Sequence, residues 1–462
     1  MDISNLENII KYKHIHMIGI GGVSMSGIAE ILHNWGVVVT GSDANQSEIT
    51  EKLEKNGIVV SIGHNTEIVK NANLVVYSAA ISPDDPELVV AKENNIPTVE
   101  RCDFVGYITR VYHNTIGISG THGKTTTTSM VSLCFIESGF DPTIQVGAIL
   151  KQIDGNYRVG NSDYFILEAC EYVESFLKFS TKSEVILNID NDHLDYFKTF
   201  ENIKNAFIKY VKILPKDGLL VVNADDENCL DLREYCIARS VTYSLTDTKS
   251  NYYARSITFD NNGFAKFDVF HNGCYFGEIK LSVPGIHNVS NALACIALCT
   301  EYGISRAHIK SALSKFTGAH RRFEYIGQYN NVSIFDDYAH HPTEIIATAE
   351  AMKNKEYNKS WAIFQPHTYS RTVNLLDDFA NALLKFDNII ITDIYAAREK
   401  NTYGITSEIL VNKINELAPD KAIYISDFGN ISHYLKQNAQ DDDIIITIGA
   451  GTVEKVGKMI IS

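Results

Sequence analysis

The segment 115–125, Thr-Ile-Gly-Ile-Ser-Gly-Thr-His-Gly-Lys-Thr, decides how the middle of the chain folds. Its β-branched start predicts a strand over Thr115–Ile118, and the residues that follow predict a helix over Thr125–Cys134. Gly120 and Gly123 lie between them, where glycine lets the backbone approach a ligand closely. The N–H groups and dipole of a helix N-terminus stabilise negative charge. The strand, loop and helix together therefore predict a phosphate-binding site.

Two residues at the end of this loop point to a nucleotide. Lys124 is expected to reach the outer phosphates, and the Thr125 hydroxyl to coordinate Mg²⁺. The usual G-x-x-x-x-G-K-[ST] pattern is not matched strictly, because Ile stands at 118 and glycines stand at 117 and 120. A glycine-rich turn that happens to precede a lysine is the alternative interpretation. The order of strand, loop, lysine and helix favours ATP binding.

Strand and helix patterns alternate outward from the loop in both directions. The N-terminal part predicts the strand His14–Ile18, the helix Gly22–Asn34 and the strand Val37–Thr40. Asn-Gly pairs at 262–263 and 272–273 separate β-rich runs and predict an antiparallel ribbon over 252–281. Alternation resumes after residue 323, with apolar runs that include Ser360–Phe364 and Ile444–Ile448.

The predicted fold class is α/β with three domains. An N-terminal Rossmann-like domain covers 1–108. A central P-loop ATPase-like parallel sheet with a small antiparallel β ribbon covers 109–319. A C-terminal Rossmann-like domain covers 320–462.

Composition excludes several functional classes. The 462 residues carry a net charge of −15, which argues against a nucleic-acid partner. Apolar runs end well before the ~20 residues that a membrane span needs, and Met1–Glu7 lack the features of a secretory signal. The eight cysteines form no C-x-x-C pair and are expected to be free thiols. A cytoplasmic location is predicted.

Metal ligands are expected where parallel strands end near the loop. Glu168 follows the predicted strand Tyr164–Leu167, with Glu171 shortly after it, and His193 follows the predicted strand Val185–Asn188. Carboxylate and imidazole groups bind Mg²⁺ or Mn²⁺. A solvated acidic loop at 190–195 is the alternative, but its position after a buried strand favours a metal site.

A second glycine-rich turn occurs near the N-terminus. Gly19, Gly21 and Gly22 follow the first strand, Ser24 takes the place of a third glycine, and Asp43 comes about one βαβ half-unit later. From the residues alone this is a dinucleotide fingerprint, which makes an NAD-dependent oxidoreductase an alternative function.

The loop Gly120–Thr128, taken with Glu168 and His193, resembles the Mur ligases, which build the peptide stem of bacterial peptidoglycan. Later blocks resemble the same family in the same order. These blocks are His287-Asn288-Val289-Ser290-Asn291-Ala292, Arg321-Arg322-Phe323-Glu324, Asp336-Asp337-Tyr338-Ala339-His340-His341-Pro342-Thr343-Glu344 and Gln365-Pro366-His367-Thr368-Tyr369-Ser370-Arg371. The resemblance covers nearly the whole chain and is greatest to the first, L-alanine-adding member of the series.

The resemblance implies an ATP-dependent ligase that joins L-alanine to the lactyl carboxylate of UDP-N-acetylmuramate through an acyl phosphate. It implies Lys124, Glu168 and His193 as catalytic residues, and Thr125, Glu168 and His193 as ligands of Mg²⁺, with Mn²⁺ as an alternative. The residues implied to bind ATP are Gly120, Thr121, His122, Gly123, Lys124, Thr125, Thr126, Asn288, Arg322 and Asp337.

The resemblance also assigns the other two substrates. Its UDP-sugar residues are Gly19, Gly21, Gly22, Ser24, Ser42, Asp43, His64 and Ser78, and its amino-acid residues are Tyr338, His340 and Arg371. A monomer or a homodimer is expected. A recycling ligase that adds a tripeptide to the same sugar nucleotide, and a non-catalytic nucleotide switch, remain as further alternatives.

Overall fold

The computed structural model describes residues 9, 11–353, 355–397 and 399–462, and only the backbone at residue 195. The segment 1–8, for which no secretory signal is predicted, lies outside the described residues. Three β-sheets follow one another along the chain, with five, ten and six strands. Among the described helices, none combines the length and apolar character needed to cross a bilayer. The predicted three-domain α/β fold is confirmed.

The first sheet is fully parallel, with the strand order β3-β2-β1-β4-β5 of a Rossmann-like half. Its strands are β1 (His14–Ile18), β2 (Val38–Asp43), β3 (Val59–Ile62), β4 (Leu74–Tyr77) and β5 (Thr98–Glu100). Its helices are α1 (Val23–Asn34), α2 (Glu48–Lys55), α3 (Thr66–Val69), α4 (Pro86–Glu93) and α5 (Arg101–Thr109).

The central sheet has the order β15-β14-β13-β12-β11-β10-β6-β9-β7-β8 and is parallel from β13 to β7. Its strands are β6 (Asn114–Ser119), β7 (Thr143–Leu150), β8 (Gly155–Arg158), β9 (Tyr164–Glu168), β10 (Ser183–Ile186), β11 (Leu219–Asn223), β12 (Arg239–Ser244), β13 (Tyr252–Phe259), β14 (Phe264–His271) and β15 (Cys274–Pro284). Its helices are α6 (Lys124–Glu137), α7 (Leu194–Phe197), α8 (Phe200–Val211), α9 (Glu227–Asp231), α10 (Ile286–Glu301) and α11 (Arg306–Lys315), with 3₁₀ turns at Lys151–Ile153, Tyr172–Lys178 and Leu232–Tyr235.

The predicted antiparallel ribbon is present as β13, β14 and β15. At the second of its turns Asn272 and Gly273 have φ of 49° and 80°, which the tight turn between right-handed strands requires. The ribbon continues the central sheet, because Tyr252 of β13 pairs in parallel with Tyr243 of β12.

The third sheet has the order β16-β17-β21-β18-β19-β20, and every strand except the edge strand β16 is parallel to its neighbours. Its strands are β16 (Glu324–Tyr329), β17 (Val332–Asp337), β18 (Ser360–Phe364), β19 (Asn388–Ile391), β20 (Ala422–Tyr424) and β21 (Ile444–Ile448). Its helices are α12 (Pro342–Met352), α13 (Tyr369–Asn374), α14 (Leu376–Leu383), α15 (Ser407–Leu417), α16 (Phe428–Asn438) and α17 (Glu454–Ile461).

The first two domains share apolar packing. Phe104 and Ile108 of α5 belong to the same buried cluster as Phe176 of the central domain. A Cβ added at Gly106 would lie 2.4 Å from the Lys178 carbonyl oxygen, so α5 lies directly against the 172–178 turn. The boundaries at 108/109 and 319/320 stay predictions; the first falls one residue before α5 ends, and the second lies between α11 and β16.

Candidate active site

The two glycines of the phosphate loop are required by close packing. Gly120 has a φ of 135°, and a Cβ there would lie 3.0 Å from Leu187 Cβ and 3.1 Å from the Asn188 nitrogen. Gly123 has a φ of 85°, and a Cβ there would lie 2.6 Å from Asn291 Oδ1. The loop is therefore held between the end of β10 and helix α10, with α6 beginning at Lys124.

Lys124 is enclosed by oxygen atoms. Its Nζ donates to the carbonyl oxygens of Gly120 (2.5 Å) and Thr121 (3.0 Å) and forms an ion pair with Glu171 Oε2 at 2.9 Å. Burial alone would lower the pKa of Lys124, but the Glu171 carboxylate holds that pKa well above its ordinary value. Lys124 is therefore a permanent cation at the start of α6.

Glu168 ends β9 and is half-buried. Its Oε1 accepts a hydrogen bond from the Gly147 N–H at 2.5 Å, and its carboxylate also bonds the Thr125 hydroxyl. Burial raises the pKa of Glu168, although these bonds and the charges of Arg322 and Lys124 oppose the rise. The surroundings of this carboxyl do not fully stabilise its charge, and the Thr125 hydroxyl lies beside it. These two oxygen donors fit the ligand set of a hard divalent cation.

His193 begins the short helix α7 with a φ of 55°. Its Nε2 lies 3.8 Å from Glu171 Oε1 and 3.7 Å from Asp192 Oδ2, and its ring lies 4.6 Å from that of Tyr172. Glu171 thus lies between Lys124 and His193. Glu171 follows the same strand end as Glu168, where metal ligands were expected, and its carboxylate pairs with Lys124.

A cavity of about 340 Å³ lies beside the phosphate loop. Residues from two domains line it, including the predicted ATP-binding residues His122, Gly123, Thr126, Asn288, Arg322 and Asp337. Burial raises the pKa of Asp337 to about 6, and its Oδ2 accepts a hydrogen bond from Thr348 at 2.6 Å. The structure therefore brings together loop, α10 and C-terminal residues that lie far apart in sequence.

A larger cavity of about 780 Å³ lies where the three domains meet. Of the predicted residues, it is lined by Gly22, Ser24, Ser78, Glu168, His193 and Arg371. Gly19, Gly21, Ser42, Asp43 and His64 do not line it. Asp43 instead accepts a hydrogen bond from the Gly21 N–H at 2.9 Å, and Ser42 donates to Glu87 at 2.5 Å.

Two cavity residues were missed by sequence reasoning. Arg101 donates to the Ser24 hydroxyl at 3.2 Å, and Gln145 donates to the same oxygen at 2.6 Å. Both line the larger cavity, and Arg101 brings a positive charge to the glycine-rich turn. Neither belongs to a recognisable local pattern, so only the fold reveals them.

Of the three predicted amino-acid residues, Arg371 lines the larger cavity, and Tyr338 and His340 line neither of these two cavities. Its Nη2 donates to Asp192 at 2.8 Å and its Nη1 lies 3.1 Å from His367 Nδ1. The Tyr338 ring faces the guanidinium groups of Arg321 and Arg322, and His340 Nδ1 lies 3.0 Å from the Tyr338 carbonyl oxygen. The roles assigned to all these site residues stay predictions.

The central and C-terminal domains are joined by polar contacts around His122. Its Nε2 lies 2.9 Å from Asp190 Oδ2, and its Nδ1 lies 3.4 Å from Glu344 Oε1. Thr343 also donates to Asp190, and His341 Nε2 lies 2.9 Å from the Asn191 carbonyl oxygen. Burial alone would lower the pKa of His122, but the two carboxylates raise it to about 9.

This raised pKa predicts a pH-dependent stability. An unfolded histidine has a pKa of about 6.5, so the contribution of His122 is complete below that pH and is lost as pH rises towards 9. Relative to His122→Gln, the ligand-free protein should lose on the order of 1–3 kcal/mol over this range. Denaturant unfolding at each pH measures the difference. His113→Gln, at an exposed histidine, is the matched control and should leave the slope unchanged. Parallel curves for wild type and His122→Gln would contradict the prediction.

Sequence profiles of one family match successive parts of the chain. The profile described as "Mur ligase family, catalytic domain" matches residues 14–113, "Mur ligase middle domain" matches 118–299, and "Mur ligase, glutamate ligase domain" matches 321–451. Each matched segment covers one of the three sheets, except for the first residues of β6.

Curated relatives match over nearly the full length. A protein of Acetivibrio thermocellus named UDP-N-acetylmuramate–L-alanine ligase is 52% identical over 449 residues, which are 97% of this chain and 96% of the relative. A protein of the same name from Caldanaerobacter subterraneus is 48% identical and covers 97% of both chains.

Solved structures agree with this match. The UDP-N-acetylmuramate-alanine ligase of Thermotoga maritima is 29% identical, with a TM-score of 0.81 over 97% of this chain and 98% of its own. A murein peptide ligase of Psychrobacter arcticus is 25% identical, with a TM-score of 0.72 over the same shares. Three consecutive profile matches and relatives about half identical over 97% of the sequence establish that the chain belongs to the Mur ligase family.

Proposed function

We propose that the protein joins L-alanine to the lactyl carboxylate of UDP-N-acetylmuramate, with ATP converted to ADP and phosphate. The observation that carries this is the position of Lys124 between the two cavities. Its neighbours His122 and Gly123 line the smaller cavity, whereas Cys170 and Tyr172, which flank its partner Glu171, line the larger one. In this proposal the Lys124 cation would lie where ATP and the sugar-linked carboxylate meet.

The reaction proceeds through two steps that build negative charge. Transfer of the γ-phosphoryl group to the lactyl carboxylate gives an acyl phosphate, and attack by the L-alanine amine then forms the amide and releases phosphate. Lys124 neutralises charge at the transferring group throughout, because its cation is already fixed at the loop.

A divalent cation fits the carboxylate side of the loop. Thr125, Glu168 and His193 would hold Mg²⁺, with Mn²⁺ as an alternative, and Glu171 lies within reach of the same place. When bound, the ion would neutralise phosphate charge as a Lewis acid. Without it, the chain's own contribution is to position Glu168 through the Gly147 N–H.

Domain contacts protect the intermediate from water. Asp190, Asn191 and Asp192 of the central domain contact Thr343, His341 and Arg371 of the C-terminal domain. These contacts close the C-terminal domain over the phosphate loop. An acyl phosphate formed there would be shielded from hydrolysis until the amine attacks.

The alternatives account for fewer features. A nicotinamide-dependent oxidoreductase leaves the Gly-Lys-Thr loop unexplained, and a non-catalytic switch leaves Glu168 unexplained. The tripeptide-adding ligase shares most motifs, but the relatives that cover 97% of the chain at about 50% identity are named as L-alanine ligases. The L-alanine activity is therefore favoured.

Phosphate release with UDP-N-acetylmuramate, ATP and Mg²⁺ is expected to depend on L-alanine. Glycine, L-serine and the tripeptide L-alanyl-γ-D-glutamyl-diaminopimelate serve as competing amines in the same assay. L-Alanine should give the largest kcat/KM, and mass spectrometry should detect the amide product. Phosphate release that does not change with the amine would overturn the ligase assignment, and preference for the tripeptide would assign the recycling reaction.

A further inference from the structure

Three buried cysteines lie between α6 and α10, the two helices that border the smaller cavity. Cys134 lies on α6, the helix that begins at Lys124, and Cys295 and Cys299 lie one turn apart on α10. Their sulfur atoms are separated by 3.6 Å between Cys134 and Cys295 and by 3.8 Å between Cys295 and Cys299. All three are 0% exposed and free of disulfide bonds.

The spacing suits three sulfur atoms bonded to one central atom. Three bonds of about 2.3 Å to one pyramidal centre, at angles of about 100°, place the sulfurs about 3.5 Å apart, close to the two observed separations. The three sulfurs all lie within 4.8 Å of one another, and among the described residues no histidine or carboxylate completes the group. The site therefore offers three sulfur ligands and no fourth protein ligand of the usual kind.

Charge decides which central atom fits. The cluster belongs to the apolar core of the central domain, beside side chains such as Met130 and Val131. A divalent ion held by three thiolates would leave a net negative charge there, which is costly in an apolar interior. A trivalent atom held by three thiolates is neutral.

We propose that Cys134, Cys295 and Cys299 form a trithiol site for neutral trivalent arsenic, supplied as arsenous acid. Three As–O bonds break and three As–S bonds form. Each thiol proton leaves with one hydroxide as water, so As(OH)₃ and three thiols give As(SR)₃ and three waters with no change of oxidation state. Arsenous acid is uncharged, so neither reactant nor product carries charge into the core.

The three thiols contact one another inside the core. Hydrogen bonds from Cys295 and Cys299 hold the pKa of Cys134 below its ordinary value, whereas burial raises the pKa of the other two. The thiolate is the reactive form of cysteine. Access requires a local separation of α6 from α10, so modification is slow compared with that of an exposed thiol.

An arsenic atom bound to the three cysteines would link α6, which follows the phosphate loop, to α10, which carries Asn288. If the smaller cavity holds ATP, as the proposed function requires, bound nucleotide contacts both helices and slows their separation. Arsenic would then modify the protein more slowly in the presence of ATP and Mg²⁺.

Intact-mass spectrometry of the full chain tests the site, after reduction with a phosphine and incubation with sodium arsenite. One arsenic per chain, with loss of three hydrogens, is expected. Cys134→Ala and Cys295→Ala should lose this adduct, whereas Cys274→Ala, at an exposed cysteine, should retain it. Retention of the full adduct by both cluster variants would overturn the proposal.

X-ray absorption at the arsenic edge tests the same claim on unmodified protein, so it stands even where a variant fails to fold. A shell of three sulfurs and no oxygen is expected. An oxygen in the shell, or unmodified mass after prolonged incubation, would overturn the site. Neither the mass measurement nor the X-ray absorption requires ligase activity, so failure of the arsenic site is distinct from failure of the proposed function. Slower modification in the presence of ATP is the one result that depends on both the arsenic site and the proposed function.

Discussion

Lys124→Ala is expected to lower kcat for phosphate release by ~10³-fold or more, because it removes the cation from the place where both reaction steps build negative charge. In the structure this cation is already held by Gly120, Thr121 and Glu171, so its position needs little reorganisation. Steady-state phosphate release and single-turnover formation of ADP measure the loss.

The same substitution removes the partner of a buried carboxylate. Glu171 is 2% exposed, so without Lys124 its buried charge has lost its ion-pair partner. The melting temperature of the protein should therefore fall. Lys124→Arg keeps the cation and so separates stability from catalysis; it should regain much of the stability but little activity, because a planar guanidinium does not replace a compact ammonium.

Lys204→Ala is the matched control. Lys204 forms a surface ion pair with Asp231 at 2.8 Å, away from both cavities. Its replacement should leave kcat within about two-fold, since exposed ion pairs contribute little. A Lys124→Ala enzyme with a rate near that of Lys204→Ala would show that the loop is misassigned.

Strong local signals explain which parts of the fold could be predicted. Ser360–Phe364 and Ile444–Ile448 are continuous apolar runs, and both strands have the predicted bounds because each is buried in the middle of a parallel sheet. The Asn-Gly pairs of the ribbon were equally clear: Asn272-Gly273 forms a two-residue turn with both φ angles positive, and Asn262-Gly263 ends the loop between β13 and β14.

Other elements depend on partners that the local sequence does not show. Thr143–Leu150 and Gly155–Arg158 form strands at one edge of the central sheet, yet neither has a clear alternating pattern. The position of β7 is set by its pairing with β9 and by the bond from Gly147 to Glu168, and the position of β8 is set by its pairing with β7. These two strands were therefore not predicted from the sequence.

The residues of the candidate site also fall into two groups, those that the sequence predicts and those that only the fold reveals. Glu168 and His193 could be proposed because parallel strands end at one edge of a sheet, and both line the larger cavity. Arg101 reaches that cavity from a domain junction, and Gln145 reaches it from β7, the second strand from the edge of the central sheet. Such residues become visible only when the separate domains are packed together.

The family resemblance supplied what local rules could not. Asn288, Arg322 and Asp337 come from two domains, and no periodicity or spacing in the sequence relates them. They do line one cavity beside the phosphate loop. Their predicted contacts with ATP still require a test by substitution.

Glu168→Gln is expected to lower turnover by ~10²-fold and to raise the Mg²⁺ concentration needed for half-maximal rate by at least ~10-fold. The amide keeps the shape of the side chain and can still accept the Gly147 hydrogen bond, but it loses the charge that attracts a divalent cation. Removal of a carboxyl whose pKa is raised by burial should leave the free energy of unfolding unchanged or increase it. Loss of activity without loss of stability would therefore identify a functional carboxylate.

A second glutamate makes the comparison specific. Glu184 lies on the neighbouring part of the sheet in β10, where Thr181 donates to its Oε1 at 2.7 Å and burial raises its pKa well above the ordinary value. Glu184 lines neither cavity, so Glu184→Gln should alter neither the rate nor the Mg²⁺ dependence. If both variants keep the wild-type Mg²⁺ dependence, Glu168 is not a metal ligand. If only Glu168→Gln shifts it, the carboxyl at the end of β9 holds the ion, because the control makes the same chemical change at a glutamate away from both cavities.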